Sequence, residues 1–201
     1  MIVIIDYDAG NIKSVEKAFH KLGYETLLTS RREDILSADH VVLPGVGCFA
    51  DAMEHLKERD LIPVIHEVIQ EKIPFLGICL GLQLLFEESD ESPGVPGLSI
   101  LNGKIRRIPE EADRKVPHIG WNDLSFPHEG KLFAGITGNP YVYFVHSYYL
   151  DATDKDIVCA TTSYGVRIDA SVEAKNVFAC QFHPEKSSDV GLRILKNFAE
   201  I

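Results

Sequence analysis

Short apolar runs alternate with helical patterns through the first half of the chain, and this alternation limits the folds it can adopt. Residues 2–5 form a continuous isoleucine and valine run, as expected for a strand buried on both faces. After a turn at Asp8-Ala9-Gly10-Asn11, apolar side chains recur at helical spacing from Ile12 until Gly23. The same reasoning predicts strands at 26–29, 41–43 and 74–78, and helices at 49–56, 61–71 and 80–88. Such an order predicts a parallel sheet with right-handed crossovers.

The second half of the chain is mostly strand-like. We predict strands at residues 105–108, 118–124, 141–150, 157–162, 166–173 and 177–182, the last two pairing through a turn. A final amphipathic helix follows, with Ser188 as its N-cap. The expected fold is α/β: an open, mostly parallel sheet flanked by helices, with an antiparallel extension, in a single domain over residues 1–201.

The composition excludes several classes of protein. A net charge of −10 argues against a nucleic-acid partner. The longest apolar stretch, residues 74–86, is too short to span a bilayer, and the N-terminal MIVIID does not resemble a signal peptide. Four cysteines without CxxC spacing predict neither a metal site nor a disulfide framework. We therefore expect a cytoplasmic protein without a membrane partner.

The segment Gly77-Ile78-Cys79-Leu80-Gly81 lies between a predicted strand and a predicted helix. This is the layout of a nucleophile elbow, with cysteine in place of serine. The chain must reverse sharply there, so the residues two positions away on either side must be small. The N–H groups of the following helix favour a thiolate over a thiol. Cys79 is therefore a candidate nucleophile, although a buried structural cysteine between two packing glycines is an equal alternative.

The segment Gln181-Phe182-His183-Pro184-Glu185 supplies a candidate base and an orienting carboxylate. Pro184 biases His183 toward an extended conformation, in which residues two apart face the same side. Glu185 then accepts the imidazole N–H and leaves the other ring nitrogen for the thiol. Taken alone, a His-Pro-Glu segment is more often an ordinary turn.

The segment Pro44-Gly45-Val46-Gly47 ends another predicted parallel strand, so it belongs on the same sheet edge as Cys79. Two glycines allow the Val46 N–H to point toward a developing oxyanion, and the Leu80 N–H is the second expected donor. Because a Gly-Val-Gly peptide can also flip, we expect this donor to be gated. A plain glycine turn is the alternative.

In this order and spacing, PGVG, GICLGLQLLFE and QFHPEKS resemble the triad-type (class I) glutamine amidotransferases. The further segments PHIGWN and YFVHSYY, with Asp8-Ala9-Gly10-Asn11, are similar to the glutaminase subunits of imidazole glycerol phosphate synthases. The resemblance extends from Ile2 to the last helix. It implies that Cys79 is the nucleophile, His183 the general base and acid, and Glu185 the orienting carboxylate.

Further site residues are implied only by matched position. Five surround the substrate, L-glutamine: Gly45, Gly47, Gln83, Ser147 and Tyr148. Four face a partner: Asn11, Trp121, Tyr143 and Lys186. The implied partner is a separate (β/α)8-barrel synthase subunit, since the motifs occupy nearly the whole chain and no phosphate-binding GxxxxGK[ST] loop is present. No cofactor is implied. His118 and His146 are interpreted as ordinary sheet histidines.

Three alternatives remain open at this point. The chain resembles, less closely, the amidotransferase subunits that serve anthranilate, pyridoxal phosphate or aminodeoxychorismate synthesis. A cysteine hydrolase or peptidase on a similar sheet uses the same three side chains. A non-catalytic α/β binding module is the third alternative, because a sequence does not show that Cys79, His183 and Glu185 meet.

Overall fold

The first half of the chain alternates strands and helices as the sequence predicts. The computed structural model describes residues 1–8, 10–111 and 114–201, so Ala9 of the predicted turn lies outside the described residues. The elements are β1 (Ile2–Ile5), α1 (Ile12–Lys21), β2 (Thr26–Thr29), α2 (Arg32–Leu36), β3 (His40–Gly45), α3 (Phe49–Glu58), α4 (Leu61–Gln70), β4 (Phe75–Cys79) and α5 (Leu80–Leu84).

The second half of the chain is built mainly of strands. They are β5 (Glu88–Ser89), β6 (Gly103–Arg107), β7 (His118–Asp123), β8 (Tyr141–His146), β9 (Tyr148–Ala152), β10 (Val158–Tyr164), β11 (Val166–Ala174) and β12 (Val177–Cys180), followed by α6 (Ser188–Ala199). Short 3-10 turns cover Lys131–Phe133, Lys155–Ile157 and Pro184–Lys186.

The main sheet has seven strands in the order β10-β11-β12-β4-β3-β1-β2. The five strands from β12 to β2 are parallel, and β10 and β11 extend the sheet in antiparallel fashion. This arrangement confirms the predicted fold class. The parallel strands all end at one edge, where the loops after β3, β4 and β12 meet.

The sheet is buried on both faces. In β1, Val3 and Ile5 pack into one apolar cluster, with the helices α3 and α4, while Ile2 and Ile4 pack into a second cluster with α1 and α6. All four side chains of β1 are buried, which is why the strand lacks a polar face. Among the described residues, no helix has the length and apolar character needed to cross a membrane.

The predicted strand over residues 141–150 is wrong as a single element. It breaks at Ser147: β8 pairs with β7 in a two-stranded hairpin, and β9 pairs with β6 in a separate three-stranded sheet. The Ser147 carbonyl accepts a hydrogen bond from the Ile108 N–H, which fixes the break. Alternation of apolar residues continues across this change of partner, so the sequence pattern does not reveal it.

Two predictions at element ends need correction, and one short helix was missed. The helix predicted over 80–88 ends at Leu84, because Glu88–Ser89 turns away to pair with β6. The short helix α2 was not predicted, since five residues give too little periodicity. The N-cap of α6 is Ser187 rather than Ser188, and its hydroxyl donates to the His183 carbonyl at 2.6 Å.

Candidate active site

Cys79 stands at a tight reversal between β4 and α5. Its φ of 56° lies in the left-handed region, which is strained for a residue with a side chain. A Cβ at Gly77 would come within 2.7 Å of the Gly81 carbonyl oxygen, and a Cβ at Gly81 would overlap the Leu43 carbonyl. Both glycines are therefore required by close backbone approach, as the elbow pattern predicts.

The structure brings the three predicted triad residues to one edge of the sheet. The ends of β12 and β4 are paired through Cys180 and Ile78, so the segment after β12 emerges beside Cys79. His183 Nδ1 lies 2.8 Å from Glu185 Oε1, and both side chains are almost fully buried. The other ring nitrogen, Nε2, is buried and makes no hydrogen bond to any described residue, which leaves it available for a proton from the thiol.

The route by which His183 meets Glu185 differs from the prediction. His183 is extended, with φ −99° and ψ 95°, but Pro184–Lys186 forms a 3-10 turn that folds the carboxylate back onto the ring. Burial by itself lowers the pKa of His183. The interactions with Cys79 and Glu185 outweigh it and raise this pKa to about 9. The imidazole therefore holds its proton at neutral pH, as a proton donor requires.

The resemblance placed Asn11 at a partner surface. In the structure, the Asn11 side chain also contacts the carboxylate of Glu185. Its amide Nδ2 donates to Glu185 Oε1 at 2.6 Å, so that oxygen accepts from both Asn11 and His183. Asn11 adopts a φ of 70°, a conformation that asparagine tolerates better than most residues. The turn chemistry of the sequence anticipates this backbone but not the contact.

The loop after β3 lies beside the nucleophile. Gly45 is the register partner of Cys79 across the β3–β4 pair, and Gly47 has a φ of 114° that favours glycine. Gly45 itself is packed tightly, since a Cβ there would lie 2.5 Å from the Tyr7 hydroxyl. Val46 is partly exposed and follows directly, which puts its peptide at the same edge as the start of α5 at Leu80.

A cavity of about 450 Å³ opens at this edge. Its lining includes most of the residues predicted for catalysis and glutamine binding: Val46, Gly47, Cys79, Leu80, Gln83, Ser147 and Tyr148. Lys186, which the resemblance places at a partner surface, also lines this cavity. Four lining residues had no predicted role: Glu91, Pro117, Val145 and His146. A larger cavity of about 740 Å³ is lined by residues 126–136 and includes none of the predicted site residues.

Gln83 and Gln181 form a buried amide pair beside the sulfur. The Gln83 Nε2 donates to the Tyr148 carbonyl and to Gln181 Oε1, both at 3.1 Å. The Gln181 Nε2 in turn lies 3.8 Å from Cys79 Sγ, within range of a hydrogen bond to sulfur. Gln181 was not predicted as a site residue, although its position directly before Phe182-His183, in the segment that carries the candidate base, is a signal in the sequence.

Comparison with known proteins agrees with this geometry. The model of the glutamine amidotransferase class-I family matches residues 3–201. The chain belongs to this family. A protein of Moorella thermoacetica named imidazole glycerol phosphate synthase subunit HisH is 50% identical over 200 residues, covering 100% of this chain and 94% of the relative. A Methanococcus maripaludis protein named imidazole glycerol phosphate synthase subunit HisH 1 is 46% identical, with 100% of both chains covered.

Solved structures show the same fold at low sequence identity. A crystal structure described as a glutamine amidotransferase matches with a TM-score of 0.76 and 20% identity, over 99% of this chain and 100% of that one. The structure of PurLQS from Thermotoga maritima also reaches 0.76, at 18% identity, over 99% and 97% of the two chains. Both likenesses concern the amidotransferase fold alone.

Beside the amidotransferase cavity, the β7–β8 hairpin carries an exposed apolar face. Trp121 is 52% exposed and packs edge-on against Tyr143, its cross-strand partner, with ring centroids 6.1 Å apart. Ile119 and Tyr141 on the same hairpin are also exposed. Lys186 is exposed in the turn after the triad histidine. Contiguous apolar exposure of this kind is typical of a protein interface.

The four cysteines of this amidotransferase are free thiols in different surroundings. Burial raises the pKa of Cys159 to about 12 and holds the pKa of Cys180 well above its ordinary value, so both stay protonated. Cys48 is partly buried, with its sulfur 3.9 Å from the Ser92 hydroxyl. Only Cys79 lies at the elbow. Within residues 1–8, 10–111 and 114–201, no group of three or more metal-binding side chains is assembled.

Proposed function

We propose that this chain is the glutaminase subunit of an imidazole glycerol phosphate synthase. The observation that carries the proposal is the meeting of Cys79, the His183–Glu185 pair and the cavity of about 450 Å³ at one sheet edge. The full-length identity to proteins named HisH supports the choice among amidotransferase subunits. We further propose that residues 1–201 act as one cytoplasmic domain.

The first half of the reaction forms a thioester. An ordinary cysteine is only a few per cent thiolate at neutral pH. Here His183 holds the proton of the thiol, so Cys79 attacks as a thiolate. The thiolate adds to the side-chain carboxamide carbon of glutamine, and the oxygen of the tetrahedral intermediate is held by the Val46 and Leu80 N–H groups. His183 Nε2 protonates the departing amine, and ammonia leaves as the C–N bond breaks.

The second half regenerates the enzyme. Water loses a proton to His183 and attacks the γ-glutamyl thioester. The C–S bond then breaks, releasing glutamate and restoring the thiolate. Glu185 keeps Nδ1 protonated throughout and so holds Nε2 toward the sulfur. Removing one of the two oxyanion donors is expected to lower the rate about 10²–10³-fold.

Ammonia released into water at neutral pH becomes protonated and is no longer a nucleophile. We therefore propose direct transfer to a (β/α)8-barrel synthase subunit docked on the β7–β8 hairpin. There the ammonia reacts with a phosphorylated ribulosyl formimino nucleotide to give imidazole glycerol phosphate and an aminoimidazole carboxamide ribotide. The exposed Trp121 and Tyr143 supply aromatic anchors of the kind that dominate interfaces.

The proposal is tested by measuring glutamate release from glutamine by the wild-type chain and by Cys79→Ala, each with and without the barrel subunit. We expect turnover by the wild type, stimulated by the partner, and none by Cys79→Ala. Turnover that survives in Cys79→Ala would overturn the assignment of the nucleophile. Equal wild-type rates with and without the barrel would remove the gating of the Val46 donor.

A further inference from the structure

Two buried histidines beside the cavity are not used by the proposed mechanism. His118 on β7 and His146 on β8 are register partners, and both are nearly inaccessible to solvent. His118 Nδ1 lies 3.0 Å from His146 Nε2, which is a direct hydrogen bond between the rings. His146 also lines the cavity that contains Cys79.

The groups hydrogen-bonded at the two ends of the His118–His146 pair determine which ring nitrogens donate and which accept. The His146 Nδ1 lies 2.8 Å from the Tyr148 carbonyl oxygen, which only accepts, so Nδ1 carries the proton. His146 Nε2 must then accept from His118 Nδ1. His118 Nε2 is left to accept from the Asn122 amide at 3.5 Å, and that amide also donates to the Ser163 carbonyl at 3.0 Å.

An additional proton does not fit this arrangement. A second N–H on either ring would place a donor against a donor, at the partner ring or at the Asn122 amide. Burial also lowers the pKa of His118 to about 4 and that of His146 to about 3. Both rings are therefore neutral at physiological pH, and each holds one defined tautomer.

The Tyr148 carbonyl connects the histidine pair to the nucleophile. It accepts from His146 and, at 3.1 Å, from the Gln83 amide. The second N–H of Gln83 goes to Gln181 Oε1, so Gln83 has only its oxygen left for the cavity. With its oxygen occupied in this way, Gln181 turns its own N–H toward Cys79 Sγ.

We propose that His118 and His146 are positioning residues of the glutaminase site. By donating to the Tyr148 carbonyl, His146 holds Gln83 with its oxygen toward the substrate and Gln181 with its N–H toward the sulfur, and His118 fixes the tautomer and orientation of His146. This inference rests on the proposed function, because it assigns the two histidines to the same site. Simple packing is the competing explanation, because the His118 ring also stacks on the rings of Tyr164 and Phe144. The ring centroids are 3.9 and 4.9 Å apart, respectively.

The test compares two substitutions of one residue, measured in the full chain with its synthase subunit. His146→Asn keeps an amide nitrogen where Nδ1 stood and so keeps the donor to Tyr148, whereas His146→Leu removes it. After normalisation to titrated active sites, we expect His146→Leu to lower kcat/KM for glutamine about tenfold, mainly through KM. We expect His146→Asn to stay within about threefold of the wild type.

A matched control is available at the far end of the sheet. His40 begins β3, packs edge-on against Phe198 and has a buried Nε2 without a hydrogen-bond partner among the described residues. His40→Leu removes a partly buried histidine that does not line the cavity, and we expect unchanged kcat and KM. Equal losses in His146→Asn and His146→Leu, or a wild-type KM in His146→Leu, would overturn the proposal in favour of packing.

A second readout does not depend on glutamine turnover. The alkylation rate of Cys79 by iodoacetamide, followed on its own peptide by mass spectrometry, reports the state of the sulfur. We expect about threefold slower alkylation in His146→Leu, with recovery in His146→Asn, because Gln181 is no longer held toward the sulfur. Unchanged alkylation in both variants would contradict the inference. A wild-type chain that releases no glutamate but shows this pattern would instead contradict the proposed function.

Discussion

Two groups of buried histidines near the same cavity have pKa values that are shifted in opposite directions. His183 is buried, yet its pKa is raised to about 9 by Cys79 and Glu185. The pair of His118 and His146 is also buried, but their pKa values fall to about 4 and about 3. Burial acts in the same direction on all three rings. The partner decides the outcome: His183 meets a carboxylate and a sulfur, whereas the pair meets a carbonyl, an amide and each other.

This contrast separates two tasks within one site. A charged imidazole supplies a proton to a leaving amine, so His183 needs an anionic neighbour. A neutral imidazole with a fixed tautomer instead orients the groups that are hydrogen-bonded to it, because each ring nitrogen is either a donor or an acceptor. In the proposed mechanism, the same kind of side chain thus serves as an acid in one place and as a fixed hydrogen-bond link in another.

The largest expected effect comes from removing the anion that distinguishes His183 from the pair. Glu185→Gln keeps the size of the side chain but deletes its charge, so His183 loses the group that fixes its tautomer. We expect kcat for glutamine hydrolysis to fall about 10³–10⁴-fold. Glu173→Gln is the matched control, since that carboxylate accepts from the Lys131 and Leu132 N–H groups outside the cavity. A loss of less than tenfold in Glu185→Gln would show that the carboxylate is not needed.

The pH dependence of turnover tests the raised pKa of His183. The group is protonated below its folded pKa and loses the proton as the pH rises through about 9. We expect kcat to decline above about pH 9, approaching tenfold per pH unit, because the proton donor is lost. A rate that still climbs at about pH 10 would contradict the assignment of His183 as the acid.

The sequence predicted the parts of the site that follow from local rules. The sharp reversal at Cys79 needs Gly77 and Gly81, and those glycines are visible in the sequence. The strands β12 and β4 end at the same edge because parallel strands must. The order of elements therefore predicted that the segments carrying Cys79 and His183 lie at one edge of the sheet, but not that their side chains meet.

The contacts that the sequence missed depend on how distant segments dock. Asn11 and Glu185 are 174 residues apart, and their hydrogen bond depends on the turn before α1 reaching the loop after β12. Gln181 meets Cys79 from the segment directly after β12, 102 residues away. The break at Ser147 leaves the apolar alternation intact, so a change of strand partner has no local signature.

The donor from Asn11 gives a smaller, specific test of how Glu185 is held. Asn11→Gly removes the amide while remaining compatible with the φ of 70°. The buried carboxylate then keeps one donor on Oε1 instead of two, and we expect a loss of about five- to tenfold in kcat/KM. Asn139→Gly, at an exposed asparagine, serves as the control. An unchanged kcat/KM in Asn11→Gly would show that the contact is dispensable.

The last expected effect is on stability in acid and leaves turnover at neutral pH out of the comparison. His118 and His146 have folded pKa values below the ordinary 6.5. In mild acid, the two rings therefore bind protons in the unfolded chain but not in the native chain. Their contribution is present above about pH 6.5 and is lost as the pH falls toward 4. From about pH 7 to pH 5, the double variant His118→Asn/His146→Asn should lose about 3–4 kcal/mol less unfolding free energy than the wild type. Urea unfolding at both pH values measures this difference, and identical losses would contradict neutral native rings.

The central claim is that Cys79 attacks the side chain of glutamine. It is tested most directly by treating the chain with a chloroketone analogue of glutamine and locating the adduct by mass spectrometry. We predict one adduct per chain, on Cys79, formed in proportion to the loss of glutaminase activity and prevented by excess glutamine. An adduct on Cys48, or complete labelling of Cys79 with activity retained, would contradict the account.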